Sequence, residues 1–152
     1  GGAVQECLPS AGGVKPPFLL AFALAAVCSR RMAKAVRFGA VLAAGCMTGA
    51  LSLLPAACAE LFFAAAAAAA YAATSENPFQ GGALPGVCLM ATAAPLFEVW
   101  LSIWGIPGTE GFLAARTLPA LLLGGLCGGV VFAVFDWICE HIGLAAEGED
   151  GE

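Results

Sequence analysis

From Phe18 to Ile138 the chain is a succession of apolar stretches broken at a few short polar or glycine- and proline-bearing points. The first stretch, Phe18 to Cys28, is too short at ~1.5 Å per residue to cross a hydrocarbon core of ~30 Å. It predicts a short interfacial or partly inserted helix with a basic flank through residue 33. No charge occurs from Phe38 to Ala59. A single helix over 34–73 would be about twice the thickness of a bilayer, so a hairpin is expected. The first arm covers about 34–54, and the second starts near Pro55, where a missing N–H suits a first helical turn. It runs to about Ala73. Thr74-Ser75-Glu76-Asn77-Pro78 reads as a loop. A third span follows from about Phe79 to Trp104, with Pro85 and Pro95 inside it as expected kinks. Trp100 and Trp104 then mark a membrane–water boundary. The segment Gly105 to Gly111 is a second loop, and a fourth span runs from about Phe112 to Ile138.

The pattern predicts an all-α membrane protein, a bundle of about four transmembrane helices plus a short N-terminal interfacial helix. Residues 1–17 form an irregular Gly- and Pro-rich segment, 18–33 the short helix and its flank, 34–140 the four-helix domain, and 141–152 an acidic disordered tail. Because residue 1 is glycine rather than methionine, a targeting segment is expected to have been removed or left out of the sequence.

Composition agrees with lipid as the solvent. Charged residues make up 11% of the chain against roughly 25% in soluble domains, and mean hydropathy is +0.90. So few charges could not cover a globule of this size in water. The net charge of −5 hides a segregation. Arg30, Arg31, Lys34 and Arg37 cluster around the start of the first span, whereas Asp136, Glu140, Glu147, Glu149, Asp150 and Glu152 collect at the end. The basic cluster is a candidate site for anionic lipid headgroups, with topology-setting charge as the plainer alternative. No basic field interleaved with aromatics runs along the chain, which sets nucleic-acid binding aside. Four spans place the cluster, the 74–80 loop and the tail on one side, matrix or stroma if positive charge stays inside.

Glycine spacing is the strongest pattern. Gly45 and Gly49 form GxxxG in the first span, Gly82 and Gly86 in the third, and Gly124/Gly128 with Gly125/Gly129 two overlapping copies in the fourth. Missing side chains at i and i+4 let helices approach backbone to backbone. These eight glycines are the expected helix-packing residues, serving a tight bundle or docking to partners.

Other chemistry is thin. Seven cysteines (Cys7, Cys28, Cys46, Cys58, Cys88, Cys127, Cys139) show no CxxC pair and mostly lie in apolar stretches, so neither a zinc site nor a disulfide frame is expected. His141 falls beyond the last expected span and reads as a surface residue rather than a haem or chlorophyll ligand. Glu60 and Glu98 are intramembrane carboxylates, each a candidate for function, with an ion pair from Arg116 to one of them as the plain reading. Asp136 and Glu140 reach water at a helix end. No Ser-His-Asp set, phosphate loop or metal cluster assembles. No catalytic residue, metal or cofactor is expected, bound anionic lipid aside.

The segment Asn77-Pro-Phe-Gln-Gly81-Gly82-Ala-Leu-Pro-Gly86 resembles the start of the third span in the mitochondrial inner-membrane translocase family of preprotein and amino-acid transporters. It is most similar to that family's accessory subunit of respiratory complex I, around Asn77, Gly81, Gly82 and Gly86. The family's upstream arginine and aspartate would fall near Ala70 and Thr74, and Glu76 lies two positions from the latter. The resemblance implies four spans over 34–140 and a non-catalytic accessory subunit of complex I (NADH:ubiquinone oxidoreductase) in the mitochondrial inner membrane, with membrane lipid and other subunits as partners. It also implies termini facing the intermembrane space, against the side the basic cluster prefers. The alternatives are a translocase or small-solute transporter subunit, which needs a hydrated cavity, and an accessory subunit of a thylakoid photosystem.

Overall fold

The structure, a computed structural model, describes residues 15–29, 32–76, 83–106 and 113–141. It is all-helical over these residues: α1 Phe18–Cys28, α2 Lys34–Leu51, α3 Cys58–Glu76, α4 Ala83–Ile103 and α5 Leu113–His141. The four longer helices are each long and apolar enough to cross a membrane. The chain is a multi-pass membrane protein.

Local chemistry explains where the helices stop. At the end of α2, Leu53 takes a left-handed φ of 50° and the Leu54 N–H donates to the Gly49 carbonyl at 3.0 Å. This six-residue closure normally uses glycine at the left-handed position, so a leucine there costs about 1–2 kcal/mol. Ala57 takes a φ of 68° as the chain turns back. Pro55 therefore lies inside the turn, accepting from the Cys58 N–H at 3.1 Å, instead of opening the second arm as its chemistry suggested. The far end of α3 corrects the expected loop as well. Residues 74–76 are helical, and Thr74 and Ser75 satisfy their hydroxyls within the helix by donating to the Ala70 and Ala72 carbonyls. Asn77 and Pro78 lie outside the described residues.

The helices form two antiparallel hairpins, α2–α3 and α4–α5. Among the described residues α2 touches neither α4 nor α5, α3 does not touch α5, and α3 meets α4 only sparsely. α1 joins the two halves, packing on α2, α3 and α5. Eight of its residues are buried, with Leu20 and Leu24 at 2% exposure and Ala21 at 0%. The short helix thus occupies its predicted residues but lies in the core, where an interfacial helix was expected. The reason is its composition: FLLAFALAAVC offers no polar face for water, and its alanines let three neighbours close in. Within lipid such burial stabilises through packing, since tails are as apolar as leucine. Phe22 is the exposed exception and stacks edge-on against Phe135 at 5.9 Å.

Between α3 and α4 lies a groove of about 410 Å³, lined by residues such as Leu24, Ala66, Ala69, Ala73, Leu89 and Leu96. At its other end the hairpins meet directly. Phe97 packs on Phe62 and Phe63 with centroids at 4.9 and 6.1 Å, and the Trp100 indole N–H donates to the Cys58 carbonyl at 2.9 Å.

Candidate functional site

Among the described residues the glycines of the motifs turn inward. Gly86 and Gly128 oppose each other so closely that a Cβ on either would run into the other's carbonyl oxygen. One turn along, a Cβ on Gly124 would stand 2.5 Å from the Cβ of Ala94 and from the Met90 carbonyl. The second copy on α5 is looser: a Cβ on Gly129 would come within 2.9 Å of Val87, and one on Gly125 only within 3.6 Å. Bulk at 2.5 Å forces backbone to move, whereas 3.6 Å is ordinary contact. The Gly124/Gly128 pair thus sets the α4–α5 seam. Gly82, the first member of the α4 motif, lies outside the described residues.

In α2 the motif meets a side chain instead of a backbone groove. Cβ atoms on Gly45 and Gly49 would lie 3.1 Å from the Glu60 Cα and 3.3 Å from its Oε1. Glu60, in the first turn of α3, therefore lays its carboxyl along a strip of bare α2 backbone. Its Oε2 is buried and has no hydrogen-bond partner.

Arg116 selects the other acid. Its guanidinium lies 3.1 Å from the Glu98 carboxylate, tying the end of α4 to the start of α5, with side chains 17% and 12% exposed. Both spacings in the sequence allowed an ion pair; the hairpin geometry brings Glu98 to the arginine and leaves Glu60 facing α2. Glu60, Glu98 and Arg116 all belong to the helix ends at the 52–57 and 104–112 connections. The buried polar groups Thr48, at the Glu60 end of α2, and Thr74, at the opposite end of α3, are satisfied within their own helices. Among the described residues no line of polar side chains joins the two ends, and no group of three metal-ligating residues assembles.

The remaining candidates lie at the opposite end, shared by the start of α2, the end of α3, the start of α4 and the end of α5. Lys34 is exposed, and Arg37 is half-buried with its Nε donating to the Met32 carbonyl at 2.6 Å. Arg30 and Arg31 are outside the described residues. His141 is the last helical residue of α5, not the first of a tail. It contacts the Trp137 carbonyl at 2.9 Å through Nδ1 and stacks on that indole at 4.3 Å. Two features escaped sequence reasoning: the Trp100 bridge to Cys58, and the core position of α1. Trp100 looked like a boundary anchor because indoles favour membrane interfaces, and no local signal separates that role from a bond to a residue 42 positions away. No protein-family model matches the chain, and neither does any curated protein or solved structure.

Proposed function

We propose that the chain is a non-catalytic scaffold subunit of a larger membrane complex. The observation that carries this reading is the apolar contact between the hairpins, where α1 buries leucine and alanine and the groove between α3 and α4 is walled largely by the same residue types. A transporter needs a hydrated passage with polar groups at successive depths, and among the described residues the charged side chains lie within a few residues of the helix ends, at one side or the other of the bundle. The outer surface, by contrast, presents large side chains along one face of α5, with Leu118, Leu122, Leu126 and Val130 between 56% and 68% exposed. That face suits lipid or a neighbouring subunit's helix.

The resemblance around Asn77, Gly81, Gly82 and Gly86 supports a place in respiratory complex I and the mitochondrial inner membrane. Native electrophoresis of mildly solubilised inner membranes tests it: the chain is expected to comigrate and copurify with complex I. Migration as a small free species overturns the scaffold reading, and comigration with a different complex overturns only the assignment to complex I.

A further inference from the structure

Where the two hairpins face each other, α3 and α4 meet only sparsely and leave a groove. It runs along α3 from Phe62 to Ala73 and along α4 from Leu89 to Leu96, short of the ends of both helices. Its floor is Leu24 of the buried α1, while its rims, among them Ala65, Ala69 and Leu96, are exposed on the outside of the bundle. The groove is therefore continuous with the surface that the spanning helices present to lipid, and it lies at hydrocarbon depth. Nothing on its walls calls for a polar ligand. Thr92 already donates its hydroxyl to the Leu89 carbonyl at 2.8 Å, and the other walls are alanine, leucine and phenylalanine.

We infer that this groove is a binding site for one acyl chain of a bilayer phospholipid. Its length is that of a leaflet: α3 rises about 16 Å from Phe62 to Ala73, close to half of a ~30 Å hydrocarbon core. Its width is that of a chain. A volume of about 410 Å³ spread over that length has a mean section of about 25 Å², whereas a helix ~10–12 Å across fills about 80–110 Å². A partner's helix resting on the rims would leave Leu24 uncovered. An extended hydrocarbon chain reaches it and makes the dispersion contacts that the sparse α3–α4 packing leaves unmade. The groove also has a direction. Phe62 packs on Phe97 at 4.9 Å and Trp100 binds the Cys58 carbonyl beyond them, which closes one end. The chain enters at Ala73 and Leu89 with its methyl terminus toward Phe62. Its headgroup then belongs to the leaflet at which α2 begins and α5 ends. No charged side chain stands on the walls, so the site selects the chain and not the headgroup.

The test is photolabelling of the full chain in liposomes of phosphatidylcholine carrying a diazirine in one acyl chain, with adducts mapped by peptide mass spectrometry. Groove residues are expected to take several-fold more label than Leu118, Leu122, Leu126 and Val130, the exposed face of α5. Equal labelling of the two surfaces means ordinary bulk lipid and overturns the proposal. Direction gives a second readout: a diazirine near the chain terminus is expected to label Phe62 and Leu96, and one near the carbonyl Ala73 and Leu89. The reverse order overturns the direction of entry together with the site. Ala69→Phe, which adds bulk at an exposed rim, is expected to bring groove labelling down to the α5 level; unchanged labelling in a folded variant overturns the site. The wild-type ratio decides the matter even if that variant does not fold. In native membranes supplied with the same lipid, a groove that stays unlabelled and instead cross-links to a neighbouring polypeptide shows a partner helix as the occupant and overturns the lipid site.

Discussion

Gly86 of α4 and Gly128 of α5 face each other so closely that neither has room for a methyl group. This mutual vacancy makes α4–α5 the tightest helix pair in the molecule. Gly128→Ala is therefore expected to push the helices apart and to cost about 1–3 kcal/mol, the range for overpacking. Gly125→Ala, whose methyl would meet Val87 at an ordinary 3.6 Å, is expected to be close to neutral. Thermal unfolding in detergent, followed by circular dichroism, separates the two; equal losses would show that motif spacing rather than this contact matters.

The Glu98–Arg116 pair, at 3.1 Å and largely buried, makes a different demand. Removing either charge alone leaves the other stranded, at a cost of about 3–5 kcal/mol when a pair is fully buried and less here because part is exposed. The double variant Glu98→Gln with Arg116→Gln is expected to recover much of that loss. A double-mutant cycle on unfolding in mild detergent reads the coupling, and simple additivity of the two losses would argue against an energetic role for the pair.

Because α1 joins the hairpins, damage to it should separate them without dissolving either one. Leu20→Ala combined with Leu24→Ala removes two side chains at 2% exposure, each costing roughly 2–5 kcal/mol in a packed core. Cross-linking between cysteines engineered on α2 and α5 is expected to fall, while cross-linking within α4–α5 persists. A parallel fall in both would mean that the bundle unfolds as one unit.

Cysteine exposure distinguishes a packed scaffold from a water path. Cys46 and Cys88 are exposed on the bundle surface, whereas Cys58, Cys127 and Cys139 are buried. A membrane-permeant maleimide is expected to label Cys46 and Cys88 well ahead of the buried three. A charged, impermeant reagent applied to sealed liposomes is expected to label none of these five. Impermeant labelling of Cys127 would reveal a hydrated passage and favour transport.

The amino-acid pattern alone determined that this is a multi-pass helical membrane protein with one short apolar helix ahead of four long ones, because length and hydropathy are local quantities that lipid reads directly. Helix ends were less legible: the left-handed turn at Leu53 and the extension of α3 through Glu76 carry none of the usual glycine or loop signals in composition. Tertiary structure decided what α1 does, which acid Arg116 takes and which way the glycines face. Those outcomes follow from residues far apart in sequence meeting at a few ångströms. An apolar segment such as Phe18 to Cys28 suits a lipid boundary or a protein core equally well until its neighbours are in place.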